Sequence, residues 1–135
     1  MQTFLPERDF TLSAQRLDYR RLGKQRVECK QIYLALTIPS YGWKHHPAVK
    51  MWAGYEDALL YYAYEMCREW RRRGYNDSLM DWFADRIGGK PTFPAWLDDS
   101  RVIRSHRGSL LQKDPAHYGQ FPWRDATFAG YHWPI

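Results

Sequence analysis

An all-α fold in a single domain spanning residues 1–135 is what this sequence predicts, and three observations carry the prediction. Tyr55, Leu59, Tyr62, Ala63, Met66 and Trp70 recur at steps of three or four, the period of an amphipathic helix. No stretch alternates apolar and polar residues for long enough to suggest a strand. A chain of 135 residues, without an internal repeat or a Gly/Ser-rich linker, suits one hydrophobic core rather than two.

The first helical region has Asp9, Thr11 and Ser13 as N-cap candidates and runs to about Leu36, with Pro39 as its stop. Within it Leu22, Cys29, Ile32, Tyr33 and Leu36 keep helical spacing, while Arg21, Lys24, Gln25 and Glu28 share another, basic face. Residues 38–47 contain two prolines and a glycine, which oppose a regular helix and predict an aromatic, cationic loop. The stripe from Tyr55 to Trp70 makes the strongest helix, and Gly74, after Arg71, Arg72 and Arg73, suits its C-terminal cap. Further helices are expected from about Ser78 to Ile87, closed by Gly88 and Gly89, and from Ser100 to Gln112. From Asp114 onward Pro, Gly and aromatics follow no sustained period, so an irregular tail packed over the helices is expected.

Composition narrows the function before any motif does. With 44% hydrophobic and 26% charged residues, the chain is too apolar for disorder and too charged for a membrane span. No basic-then-apolar signal segment opens it, and Cys29 and Cys67 lack the spacing of a disulfide framework or a zinc site, so a reducing, cytoplasmic setting is expected. The net charge of +5 is unevenly placed: residues 1–50 hold nine Lys and Arg against four Asp and Glu, and residues 51–135 hold eleven against eleven. Clustered cations favour a polyanion, because phosphate contacts gain from counterion release. Aromatics, at 17%, add flat faces for stacking. Nucleic acid is the leading partner class.

The glycine-rich phosphate loop, GxSxG, HExxH and paired CxxC signatures of common enzymes are absent from the sequence. A nucleophile–base pair built on Ser105–His106, or on Cys29 with a distant histidine, is disfavoured, because sequence neighbours on a helix point in different directions. Arg21, Lys24, Gln25 and Glu28 ring a carboxylate with cations. Spacing alone favours an ordinary solvated face, whose Glu–Lys pairs contribute about 0.2–0.5 kcal/mol each. The other reading is a carboxylate among phosphate-binding cations, placed to stabilise positive charge at a sugar carbon or to move protons. Adjacent histidines rarely reach one ion, so no metal is expected at His45 and His46. The loop holding Trp43, Lys44, His45 and His46 either contacts phosphate and stacks on a base, or is a His-Pro helix entry with Trp43 buried. Ser105, His106 and Arg107 suit a phosphate oxygen or local capping equally. Arg71–Arg73 read as a solvated helix end, and Tyr61, Tyr62 and Tyr64 as core and rim.

Several of these segments carry a resemblance. Leu17-Asp18, Leu22, Arg26-Val27-Glu28 and Tyr41-Gly42-Trp43-Lys44-His45-His46-Pro47 resemble the pyrimidine-dimer DNA glycosylase family, the phage UV-endonuclease type and its short bacterial relatives. The bacterial members are similar over most of the chain: they open with Met-Gln-Thr-Phe-Leu-Pro, carry a Leu-Gly-Lys-Gln-Arg-Val-Glu helix, and place Ser-His-Arg before Lys-Asp-Pro-x-His-Tyr-Gly. The resemblance implies a compact helical domain, free of metal and cofactor, that extrudes nucleotides from double-stranded DNA and removes a base. It also implies the chemistry: an N-terminal α-amine attacks the sugar C1′, expels the base and forms a Schiff base, and β-elimination nicks the strand. An α-amine ordinarily titrates near ~8, about two units below lysine, so part of it is nucleophilic at neutral pH.

Carried over by position, Met1 supplies the amine and Glu28 matches the glutamate that assists ring opening and proton transfer. Arg21 falls near a DNA-contacting histidine of the phage type. Gln2 is large and should leave Met1 in place, and Val27 stands where the phage type has an arginine. The expected DNA contacts are Arg21, Lys24, Gln25, Arg26, Trp43, Lys44, His45, His46, Ser105, His106 and Arg107. The competing expectation, from charge and aromatics alone, is a non-catalytic DNA- or RNA-binding module.

Overall fold

The computed structural model describes residues 1–123 and 126–135; two positions of the expected tail, 124 and 125, lie outside them. The described residues form seven α-helices and one 3₁₀ turn, with no strand among them, as the all-α prediction requires. No helix among them is long and apolar enough to cross a membrane.

The first helical region is divided in two, which corrects the expectation of one run to Leu36. Helix α1, Phe10–Arg16, is capped by Asp9, whose side chain accepts the Leu12 N–H. Leu17 is extended and fully buried, and Asp18 then caps α2, Tyr19–Thr37. The break has a tertiary cause: the Asp18 N–H goes to the Tyr118 hydroxyl at 2.9 Å instead of to a helical carbonyl, while the Asp18 carboxylate receives Arg21. Helix α2 ends at Ile38, where the Lys44 ammonium donates to the carbonyls of Ala35 (2.8 Å) and Ile38 (2.6 Å) and so completes the helix end.

His46 opens the short α3, Pro47–Lys50, and α4 follows at Glu56–Arg72. The expected stripe of α4 faces inward: Leu59, Tyr62, Ala63 and Met66 have no exposure, and Gly74 takes the left-handed conformation at φ +94°. Helices α2 and α4 make the most extensive contact in the fold, and α1 packs on α4. Helix α5 covers only Met80–Ala84, shorter than expected, because Asp77 caps Met80 at 2.7 Å and the chain leaves in tightened turns at Arg86 and Ile87. A 3₁₀ turn, Ala95–Asp98, precedes α6, Ser100–Lys113. One more helix, α7 at Pro115–Tyr118, lies where only irregular chain was expected; beyond it the tail packs over the helices, with Tyr118 and Trp123 buried and stacked at 5.7 Å.

What positions the site is the segment before α1. Gln2, Thr3, Phe4 and Leu5 are all buried without belonging to any helix. A buried backbone N–H left without a partner costs about 1–3 kcal/mol, so the helices around this segment supply polar side chains to it. The Phe4 N–H goes to Gln25 Oε1 at 2.7 Å and the Leu5 N–H to His106 Nδ1 at 2.9 Å. The Tyr62 hydroxyl donates to the Phe4 carbonyl at 2.5 Å and Trp52 Nε1 to Thr3 Oγ1 at 2.9 Å.

Candidate active site and nucleic-acid interface

The anchored segment delivers Met1 to the wall of a cavity of about 450 Å³. Across that cavity α2 presents Arg20, Arg21, Lys24 and Glu28, α6 ends in it with Lys113, and Tyr131 of the tail closes one side. Met1 and Glu28, paired by position in the sequence reading, therefore line one cavity. Gln25 links their surroundings: its Nε2 donates to the Gln2 carbonyl and to Glu28 Oε2, both at 2.9 Å.

Charge around the cavity is mostly positive. Asp18 accepts the Arg21 guanidinium at 3.2 Å; burial works to raise the Asp18 carboxyl, but the Tyr118 hydroxyl and Arg21 override it and hold it below the usual range. Arg20, Lys24 and Lys113 are exposed, and none pairs with a carboxylate among the described residues. Arg20 rests on Tyr19, donating to its hydroxyl at 3.1 Å, and three cations without a carboxylate partner around a single carboxylate favour a polyanion. A second cavity, of about 420 Å³ between Phe10, Tyr61, Phe93 and Leu97, has only Arg8 as a cation in its wall, and Asp98 holds that residue at 2.6 Å.

The loop from Ile38 to His46 stands beside the site. Trp43 is 63% exposed and sits at φ +69°, a left-handed conformation uncommon for a bulky residue. Of the two readings of this loop, the helix entry at His46-Pro47 is present but the buried Trp43 that went with it is not. Lys44 is occupied with the end of α2, and His45 is exposed. His46 accepts the Ala48 N–H on Nδ1 at 3.0 Å, which leaves the proton of the neutral ring on Nε2. Burial lowers the His46 imidazole, the N-terminal ammonium lowers it further and Glu28 opposes both, so the imidazole lies within electrostatic reach of each. Its ring meets Trp43 and Trp133 edge-on, at 6.3 and 6.0 Å.

Other expected DNA contacts are turned to structural work. Gln25 is 1% exposed and faces the N-terminal segment. His106 has no exposure, and burial drives its imidazole down to about 3, so it is neutral. Ser105 donates to the Val102 carbonyl and receives the His132 N–H. Arg107 is spent on the Pro6 carbonyl at 2.6 Å and Glu7 at 3.0 Å. Arg26 pairs with buried Asp77 at 3.1 Å and covers the Trp70 ring, on the far flank of α2. Conversely, Arg20, Lys113 and Tyr131 were missed. Arg20 adjoins Arg21 and its helix phase was readable, whereas nothing local marks Lys113 or Tyr131, which reach the cavity through the packing of α6 and the tail.

The family model described as pyrimidine dimer DNA glycosylase matches residues 1–82. The chain belongs to this family. The matched region of the pyrimidine dimer DNA glycosylase family carries Met1, all of α2 with Glu28, the Trp43 loop and α4, while Lys113 and Tyr131 lie beyond it. No curated protein and no solved structure matches the chain at a significant level.

Proposed function

We propose that the protein is a DNA glycosylase acting on damaged or modified pyrimidines in double-stranded DNA, with abasic-site lyase activity, and that Met1 and Glu28 carry the chemistry. One observation supports this reading above the rest: the first residue and the acidic residue matched to the family's glutamate line a single cavity, encircled by cations. In this reading Arg20, Arg21, Lys24 and Lys113 hold phosphates, and the exposed ring of Trp43, with His46 behind it, meets the opened base stack.

The unprotonated α-amine of Met1 attacks C1′ of the extruded nucleotide. The N–C1′ bond forms as the C1′–N1 bond to the base breaks; the base takes the bonding pair and then a proton. Glu28 takes the proton released by the amine and returns one to the ring oxygen as the nitrogen lone pair expels O4′ from C1′, leaving a protonated imine. Loss of a C2′ proton to a base then expels the 3′-phosphate by β-elimination. Preorganised charge near C1′ stabilises the cationic character that develops there.

The experiment is base release and strand nicking on a panel of defined pyrimidine-lesion duplexes, using protein whose α-amine is verified free by intact mass. Glu28→Gln should lose activity by on the order of 100-fold or more. Full activity in that variant would remove Glu28 from its role, and no base release from any duplex while salt-sensitive binding persists would favour a binding module.

A further inference from the structure

Gln25 sits on the apolar stripe of α2, between Leu22, Cys29 and Ile32, all three without exposure. Methionine would fill that space with no polar group to satisfy. The amide nevertheless has a polar partner on every side: Oε1 accepts the Phe4 N–H at 2.7 Å and lies 2.7 Å from the Tyr62 hydroxyl, whose single proton is shared between Oε1 and the Phe4 carbonyl, and Nε2 donates to the Gln2 carbonyl and Glu28 Oε2, each at 2.9 Å. The Phe4 N–H at Oε1 and the two acceptor oxygens at Nε2 fix the orientation of the amide, so its NH₂ must face Gln2 and Glu28. Anchoring the N-terminal segment requires only the bonds to Phe4, Tyr62 and Gln2. The bond to Glu28, one helical turn away, adds nothing to that anchor.

We propose that Gln25 is the positioning residue of the reaction, a single amide that holds the residue next to the α-amine and the Glu28 carboxylate in one fixed register. This rests on the reading that Met1 and Glu28 act together. Register matters because displacement of a reacting group by about 1 Å costs on the order of 100-fold in rate. From other elements, Tyr62 of α4 and Phe4 of the segment meet its oxygen end and the Gln2 carbonyl meets its nitrogen end, so Glu28 is the one carboxylate bonded to the amide.

The test compares wild type, Gln25→Glu, Gln25→Met and Glu28→Gln in base release and abasic-site nicking across pH, with melting temperature and duplex affinity measured alongside. Gln25→Glu keeps an oxygen for Phe4 and Tyr62 but sets a second carboxyl against Glu28. Its kcat should fall on the order of 100-fold with duplex affinity retained, and the acid limb of its pH–rate profile should move upward as two facing carboxyls share a proton. Gln25→Met should lose kcat similarly without that movement. A folded Gln25→Glu with wild-type kcat and an unmoved acid limb overturns the proposal, as does equal loss of affinity and kcat. If Gln25→Glu does not fold, a folded Gln25→Met with full kcat overturns it. Full activity in Glu28→Gln sinks the catalytic reading itself and this proposal with it; an inactive Glu28→Gln beside fully active Gln25 variants sinks the positioning role alone.

Discussion

His106 accepts the Leu5 N–H from a helix 101 residues along the chain, and its ring is held neutral, down to about 3, by burial. In the unfolded chain a histidine titrates near ~6.5, so between those values the unfolded state binds more protons than the folded one. Stability is therefore complete above about pH 6.5 and falls as the pH drops toward 3, by up to about 1.4 kcal/mol per unit. Urea midpoints measured across this window should decline, and His106→Asn, which offers an acceptor near the position of Nδ1, should flatten the decline; an equal slope in both proteins would contradict the assignment. In the sequence, Ser105-His106-Arg107 offered donors for a phosphate, and nothing local reports that the helix turns His106 and Arg107 toward Leu5, Pro6 and Glu7 and Ser105 toward Val102 and His132. Gln25 was open to two placements for a similar reason. Its spacing fits the cationic face with Arg21 and Glu28 and the core stripe with Leu22, Cys29 and Ile32; the buried segment across from it decides.

Elements were legible in proportion to their periodicity. Helix α4 could be read from its stripe and from Gly74, and α6 from residue 100 onward, because both are long enough to repeat their pattern. The break between α1 and α2 was not, since it depends on Tyr118 receiving the Asp18 N–H from the far end of the chain. Helix α7 has a cap, Asp114, and a proline start but only four residues, too few for a period. The contact of α6 with the tail yields a test. A Cβ on Gly108 would lie 2.6 Å from the carbonyl carbon and oxygen of Thr127 and 2.9 Å from the Phe128 nitrogen, all backbone atoms. Gly108→Ala should therefore push the tail off α6 and cost about 1–3 kcal/mol. Tyr131, which bonds Ser109 at 2.7 Å and lines the cavity, would move with it, so thermal unfolding and base release should both suffer. A variant with unchanged melting and activity would detach the tail from the site.

Across the whole molecule, the excess of cations in residues 1–50 foretold a polyanion, yet the sequence could not say which of them are free. Arg26 and Lys44 are consumed by the fold, whereas Arg20, Lys24 and the later Lys113 face the cavity. If those three and Arg21 each meet a phosphate, the logarithm of duplex affinity should fall against the logarithm of salt with a slope of roughly −3 to −4. Lys24→Ala should reduce that magnitude by about 1, while Arg26→Ala should lower the melting temperature and leave the slope alone. The reverse pattern would move the DNA to the other flank of α2. The most direct measurement is borohydride reduction of the protein on an abasic-site duplex, followed by mass-spectrometric mapping of the trapped adduct. The nitrogen carrying the sugar should be the α-amine of Met1; an adduct on a lysine side chain, or none while base release proceeds, would contradict the mechanism.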